Sequence, residues 1–137
     1  EAYVPSPVRR MDVYRRLFRC EDAATLDDVV ADVVSAYGPV PTPVRRLIEL
    51  ARLRVLAMVQ GVRSIRRRDR DVIIRCMRPE ELRELLAPLP GRVRVVQTGG
   101  RAGTGGGGSP ELYWRPEGGL EDLDQVVSQL CRELSRG

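Results

Sequence analysis

The sequence contains no lysine, no histidine and no asparagine. Without histidine there is no Ser-His-Asp or Cys-His nucleophilic centre, no imidazole metal ligand and no ordinary general base for neutral pH. Without lysine no P-loop can be completed. Aromatic residues make up 4% of the chain, with one tryptophan and one phenylalanine, so rings that could stack on bases are scarce. No apolar run approaches the roughly 18 residues of a membrane-spanning helix, and nothing at the N-terminus reads as a signal peptide. Three cysteines, Cys20, Cys76 and Cys131, lie far apart and form no Cys-x-x-Cys. That number and spacing disfavour a disulfide framework or zinc site, and each reads as a small apolar residue in a reducing compartment.

What is present is an ordinary globular balance. The 137 residues are 42% apolar and 31% charged, which suits one domain with its own core. All 23 basic residues are arginine, against 19 acids, for a net charge of +4. Arginine used to the exclusion of lysine reads as the codon bias of a GC-rich genome. The excess is mild and interspersed, without the basic stripe of a dedicated nucleic-acid binder.

The periodicity changes midway. Residues 1–6 read as an extended lead-in, and the chain reads as part of a longer one. Ser6-Pro7 opens a helix reaching Cys20, with Met11, Tyr14, Leu17 and Phe18 on one face. A second helix, capped by Thr25, carries Leu26, Val29, Val30, Val33, Val34 and Tyr37 at helical spacing, with Asp27 and Asp28 near its start; Gly38-Pro39 ends it. A third runs from Thr42-Pro43 to Gly61. Val44, Leu47, Ile48, Ala51, Val55 and Met58 form its main apolar face, and Leu50, Leu53, Leu56 and Val59 widen it. Then come a strand over 62–65, a turn at 67–70, a strand over 72–76, a short helix over 79–86 and a strand over 92–96. A flexible loop at 99–108 holds seven glycines. A strand over 112–114 follows, then a helix over about 120–134 with Leu120, Leu123, Val127, Leu130 and Leu134 as its inner seam.

The expected fold is therefore α/β of the α+β kind, a single domain over residues 1–137. A helical part, 7–61, precedes a ββαββα part, 62–137, whose small, mostly antiparallel sheet is covered by helices.

Few residues could carry chemistry. The pairs Glu80-Glu81 and Glu121-Asp122 fall where helix first turns would place them, and the helix dipole accounts for both. Gly103 to Gly108 spells G-x-G-x-x-G, but a strand rather than a helix follows, so it reads as a slack connection. No catalytic, cofactor or metal residues are assigned. Two surfaces remain. Arg66, Arg67, Arg68 and Arg70 cluster at the first hairpin and could touch phosphates, although a solvated turn explains them as well. Asp28, Asp32 and Ser35 line the side of the second helix opposite its valines, either as a solvated face or as a contact patch for arginines of a partner.

Several short motifs also fall in a familiar order. They are Tyr3-Val4-Pro5, Val13-Tyr14-Arg15-Arg16-Leu17, Tyr37-Gly38-Pro39-Val40-Pro41, Ala51-Arg52-Leu53-Arg54 and Gln60-Gly61-Val62. In order and spacing this resembles the C-terminal domain of bacterial transcription-repair coupling factors (Mfd). Beyond residue 62 the likeness is one of layout, and the glycine loop departs from the pattern as an insertion would.

The resemblance implies a non-catalytic piece of an ATP-hydrolysing, helicase-like DNA translocase. Such a protein displaces stalled RNA polymerase and recruits UvrA for excision repair. ATP and Mg would act in motor domains elsewhere in the parent, with no cofactor in this piece. The partner implied is the UvrB-like N-terminal module of the same chain, on which this domain would act as an autoinhibitory clamp masking the UvrA-binding surface. UvrA, RNA polymerase and DNA would be engaged indirectly, through the parent. The family contact uses two acids of the second helix. Asp32 matches one, Ser35 stands where the other would be, and Asp28 is the candidate to replace it. A cytoplasmic monomer without membrane contact is expected. The rival reading is an accessory nucleic-acid-binding module using the arginine-rich hairpin.

Overall fold

The structure, a computed structural model, describes residues 3–96 and 110–136. The expected glycine-rich loop at 99–108 and its G-x-G-x-x-G lie outside the described residues. The element order is α1 (Pro7–Arg19), α2 (Ala23–Tyr37), α3 (Thr42–Val59), β1 (Val62–Arg68), β2 (Asp71–Cys76), α4 (Pro79–Leu86), β3 (Gly91–Val96), β4 (Glu111–Pro116) and α5 (Leu123–Leu134). This is the expected three helices followed by ββαββα. The chain forms two compact units, residues 1–56 and 57–137.

The first unit is built on helical periodicity. Ser6 accepts from Arg9 N and Pro7 occupies the first turn of α1, where its missing N–H costs nothing. Val13, Leu17 and Cys20 point inward and join Leu26, Val29 and Val33 of α2 and Ile48, Ala51 and Val55 of α3 in one apolar cluster. The Tyr3 hydroxyl donates to the Gly38 carbonyl, and its ring packs 5.8 Å from that of Tyr37. The lead-in is thereby tied to the end of α2. Arg54 donates to the Cys20 carbonyl at 3.0 Å, closing the end of α1.

Several expectations are corrected in detail. Met11 and Tyr14 are exposed, because α1 turns the face bearing Val13, Leu17 and Cys20 toward the cluster. The cap of α2 is Asp22 rather than Thr25: its carboxylate accepts the Thr25 N–H at 2.7 Å, so the helix starts earlier and Asp27 and Asp28 fall beyond its first turn. Leu50, Met58 and Val59 of α3 are exposed.

In the second unit the sheet is wholly antiparallel, in the order β1-β2-β4-β3. The strands run longer than the sequence suggests. Arg67 and Arg68 belong to β1, and the turn is the dipeptide Asp69-Arg70. Asp69 takes a positive φ of 56°, which Asp tolerates better than most residues. A bulge between Val62 and Ser64 shifts the start of β1.

Side chains alternate across the sheet. Val72, Ile74, Cys76, Leu112 and Trp114 are buried on one face. α4 lies against β3 and β4, and α5 lies against α4. Leu82 and Leu86, four residues apart on α4, are buried, and burial of a leucine contributes about 1.5–3 kcal/mol. Trp114, fully buried, donates from Nε1 to the Pro90 carbonyl at 3.0 Å. The last helix starts at Leu123, with Asp122 as its cap, not at Leu120. Its inner face is Val126, Leu130, Cys131 and Leu134, while Leu123 is exposed. Glu133, buried near its end, is matched by Arg132 and Arg136, and Arg136 also donates to the Leu85 carbonyl at 2.6 Å. All three cysteines are buried. No described helix is long and apolar enough to cross a membrane.

Candidate functional site

Two surfaces of opposite charge stand out, one in each unit. The first is the outward side of α2. Burial of Leu26, Val29 and Val33 fixes which side faces out, and Asp28, Asp32 and Ser35 lie there, all exposed. α2 is the only described helix without an arginine; it carries Asp27, Asp28 and Asp32. Beside these acids the exposed residues are uncharged: Ala24, Thr25, Ala31, Ser35 and Ala36, which are small, and Val34, which is 39% exposed. An acidic strip with a low profile thus sits on a chain whose overall charge is positive.

The acids of α2 are not equivalent. Asp32 accepts from Arg16 of α1 at 2.8 Å, and Asp27 from Arg52 of α3 at 3.0 Å. No described cation pairs with Asp28. Both carboxylates are well exposed, and such surface pairs contribute only about 0.2–1 kcal/mol. Arg16, which the sequence reading did not single out, is therefore a local competitor for any partner that approaches Asp32.

The second surface is the sheet face opposite the core. Strand alternation divides the hairpin arginines. Arg66 and Arg68 point to this face, Arg67 to the other side, and Arg70 sits in the turn. The registers Arg66↔Ile73↔Tyr113↔Arg94 and Arg92↔Arg115 then bring the outer strands together. Counting Arg68, which faces Asp71, and Arg75, which faces Glu111, the face holds six arginines and two acids. The net excess of four equals that of the entire sequence, so the remaining side chains balance.

Here too some charges are matched and others are not. Arg115 grips Asp71 through Nε at 3.0 Å and a second nitrogen at 3.4 Å. That hydrogen-bonded pairing raises the Arg115 pKa further above its already high value. Arg66 reaches Glu111 at 2.9 Å. Arg68, Arg75, Arg92 and Arg94 are exposed and have no acidic partner among the described residues. The Arg94 guanidinium lies 5.2 Å from the centre of the half-buried Tyr113 ring, in cation–π range. A hollow of about 160 Å³ opens between Asp71, Arg92, Arg94, Tyr113 and Arg115. Ile73 is buried in the middle of the sheet. The sequence reading missed Arg92, Arg94, Tyr113 and Arg115, although the alternation in Arg92-Val93-Arg94-Val95 is a signal of one charged and one apolar side.

Of the carboxylate pairs, Glu80-Glu81 falls in the first turn of α4 as expected, whereas Glu121-Asp122 precedes α5 instead of lying in its first turn. Glu80 bridges to Arg83 at 2.8 Å and Glu81 to Arg78 at 3.4 Å in the first turn of α4, and Asp122 caps α5. Burial raises the Cys76 thiol pKa, which keeps it protonated and unreactive.

Comparison with known proteins gives a consistent answer. A family model described as the TRCF domain matches residues 1–85. The transcription-repair-coupling factor of Escherichia coli (strain K12) is 25% identical over 72 residues, which is 53% of this chain and 6% of that protein. That of Mycobacterium tuberculosis (strain CDC 1551 / Oshkosh) is 35% identical over 63 residues, 46% of this chain and 5% of the relative. The chain thus spans only about a twentieth of these relatives. Among solved structures, a C-terminal domain of transcription-repair coupling factor superposes with a TM-score of 0.75 over 98% of this chain and 83% of that one, at 13% identity, which speaks for the fold.

Proposed function

This chain belongs to the TRCF domain family, and on that premise we propose that it is a non-catalytic, autoinhibitory clamp within a transcription-repair coupling factor. The occupant of the α2 strip is the UvrB-like N-terminal module of the same polypeptide. Docking there masks the surface through which that module recruits UvrA. The parent uses ATP and Mg in its own motor domains to move on DNA and displace stalled RNA polymerase, while this domain sets when recruitment begins.

The observation that supports this reading is the arginine-free helix face bearing Asp28, Asp32 and Ser35, exposed over two turns. A clamp must open, so its contact should be polar and modest in area, like other contacts between domains of one chain. A coupling of about 1–3 kcal/mol changes exposure of the masked site roughly 5- to 150-fold. One exposed ion pair supplies about 0.2–1 kcal/mol, so Asp28 and Asp32 act together with the exposed apolar side chains beside them, Ala31 and Val34. Arg16 weakens the latch slightly by holding Asp32 in the open state.

The test is a UvrA pull-down with the full-length polypeptide. Asp28→Arg with Asp32→Arg should raise UvrA capture at least fivefold. Arg16→Ala, which releases Asp32, should lower it. Capture that stays the same in the double variant counts against the clamp.

A further inference from the structure

We propose that the arginine face of the sheet is a docking surface for single-stranded nucleic acid, with phosphates on the unmatched arginines and a base against the Arg94–Tyr113 pair. This surface lies in the second unit and does not depend on the clamp reading of α2.

Charge carries the first part of the argument. The unmatched arginines are Arg68 on β1, Arg75 on β2, and Arg92 and Arg94 on β3. Arg68 and Arg92 end the row that contains Arg115, whose charge is already shared with Asp71. Same-face residues along one strand are about 6.6–6.8 Å apart, and neighbouring strands about 4.8 Å. Arg68 on one edge and Arg92 and Arg94 on the other therefore stand on both sides of a strip about 14 Å wide, with Arg75 on the interior strand β2. The two acids of the face are engaged by Arg66 and Arg115, so the face keeps an excess of positive charge for which an anionic occupant is the complement. Guanidinium forks suit phosphate oxygens, which they can bind through two parallel N–H donors.

The ring decides between kinds of anion. Both an acidic peptide and a nucleic acid would satisfy the arginines. Only the latter brings flat bases, which stack on aromatic rings and on arginine planes. Tyr113 sits in the same cross-strand row as Arg66 and Arg94, half-buried, with the Arg94 guanidinium over its ring. The hollow beside it is lined by Arg92, Arg94 and the Arg115–Asp71 pair, so a stacked base would have the guanidinium groups of Arg92 and Arg94 next to it. Duplex DNA keeps its bases stacked inside and could use only the arginines.

Fluorescence anisotropy of a labelled twelve-residue oligothymidylate with the 137-residue chain tests the assignment. Four phosphate contacts predict a log–log salt slope of about −2.8, or a roughly fifty-fold loss of affinity between 50 and 200 mM salt. Arg92→Gln with Arg94→Gln should flatten the slope by about 1.4. Arg68→Gln, on the opposite edge, should flatten it by about 0.7 and guards against a local defect in β3. Tyr113→Leu should cost roughly 5- to 100-fold in affinity at unchanged slope. The idea fails if no binding appears at 50 mM salt, or if the arginine variants bind like the parent. It fails equally if polyglutamate competes as well as the oligonucleotide, or if Tyr113→Leu is silent and a duplex binds as tightly; the first points to an acidic protein partner and the second to a duplex-backbone contact.

Discussion

At the scale of single residues, two side chains have consequences out of proportion to their size. Asp22 starts α2 by accepting the Thr25 N–H, and that hydrogen bond lowers its carboxyl below the ordinary 3.8. A carboxyl depressed in the folded state stabilises fully above its unfolded pKa, and the contribution is lost as pH falls through the folded value. Urea midpoints should therefore drop below pH 3.8, and Asp22→Asn, which still caps but does not titrate, should drop less. Asp22→Ala should lower the midpoint already at neutral pH. Trp114 is the larger case. Its indole is fully buried and its one donor is used on Pro90. Trp114→Ala should cost about 3–5 kcal/mol in denaturant unfolding. Trp114→Phe should cost less, but more than the lost area alone, because the Pro90 carbonyl is left without its partner.

At the scale of elements, the β3–β4 pair depends on one glycine. Gly91 has a φ of +116°, and a Cβ placed there would lie 2.0 Å from the Arg115 carbonyl oxygen. The backbone of β4 cannot retreat without breaking the pairing of Gly91 with Pro116. Gly91→Ala should destabilise the fold by more than the roughly 1–3 kcal/mol of a strained backbone alone. The change should also shift Trp114 fluorescence, because Pro90 precedes the distorted residue. Element types were legible in the sequence because apolar period and caps agreed for most of the chain. Where they competed, side-chain size misled. On α1 the large Met11 and Tyr14 mark one plausible stripe, yet Val13 and Cys20, small enough for close helix contact, flank Leu17 in the core. At α2, Asp22 and Thr25 both have capping oxygens, and spacing alone could not choose between them. At α5, Leu120 extends the apolar spacing backward, but Asp122 supplies the cap and the helix begins after it.

At the scale of the whole molecule, charge is segregated by fold. The acidic strip was legible because its residues share one helix, and helical spacing alone puts Asp28, Asp32 and Ser35 on one side. The arginine face was not, because it draws on four strands and exists only through the order β1-β2-β4-β3. In the sequence, Arg66 and Tyr113 are merely distant; the register makes them members of one row. A field concentrated on one face governs adsorption more than net charge does. Arg92→Gln with Arg94→Gln should therefore elute from a cation exchanger at clearly lower salt than Arg9→Gln with Arg10→Gln on α1, although both remove two charges. The buried cysteines extend the reach of such experiments. Cys20 lies in one compact unit, Cys76 and Cys131 in the other. A thiol-alkylating reagent can reach each only when its surroundings open. Pulsed alkylation read by peptide mass would then time the opening of the two halves separately, in the unaltered protein, and show whether they come apart in one step or in two.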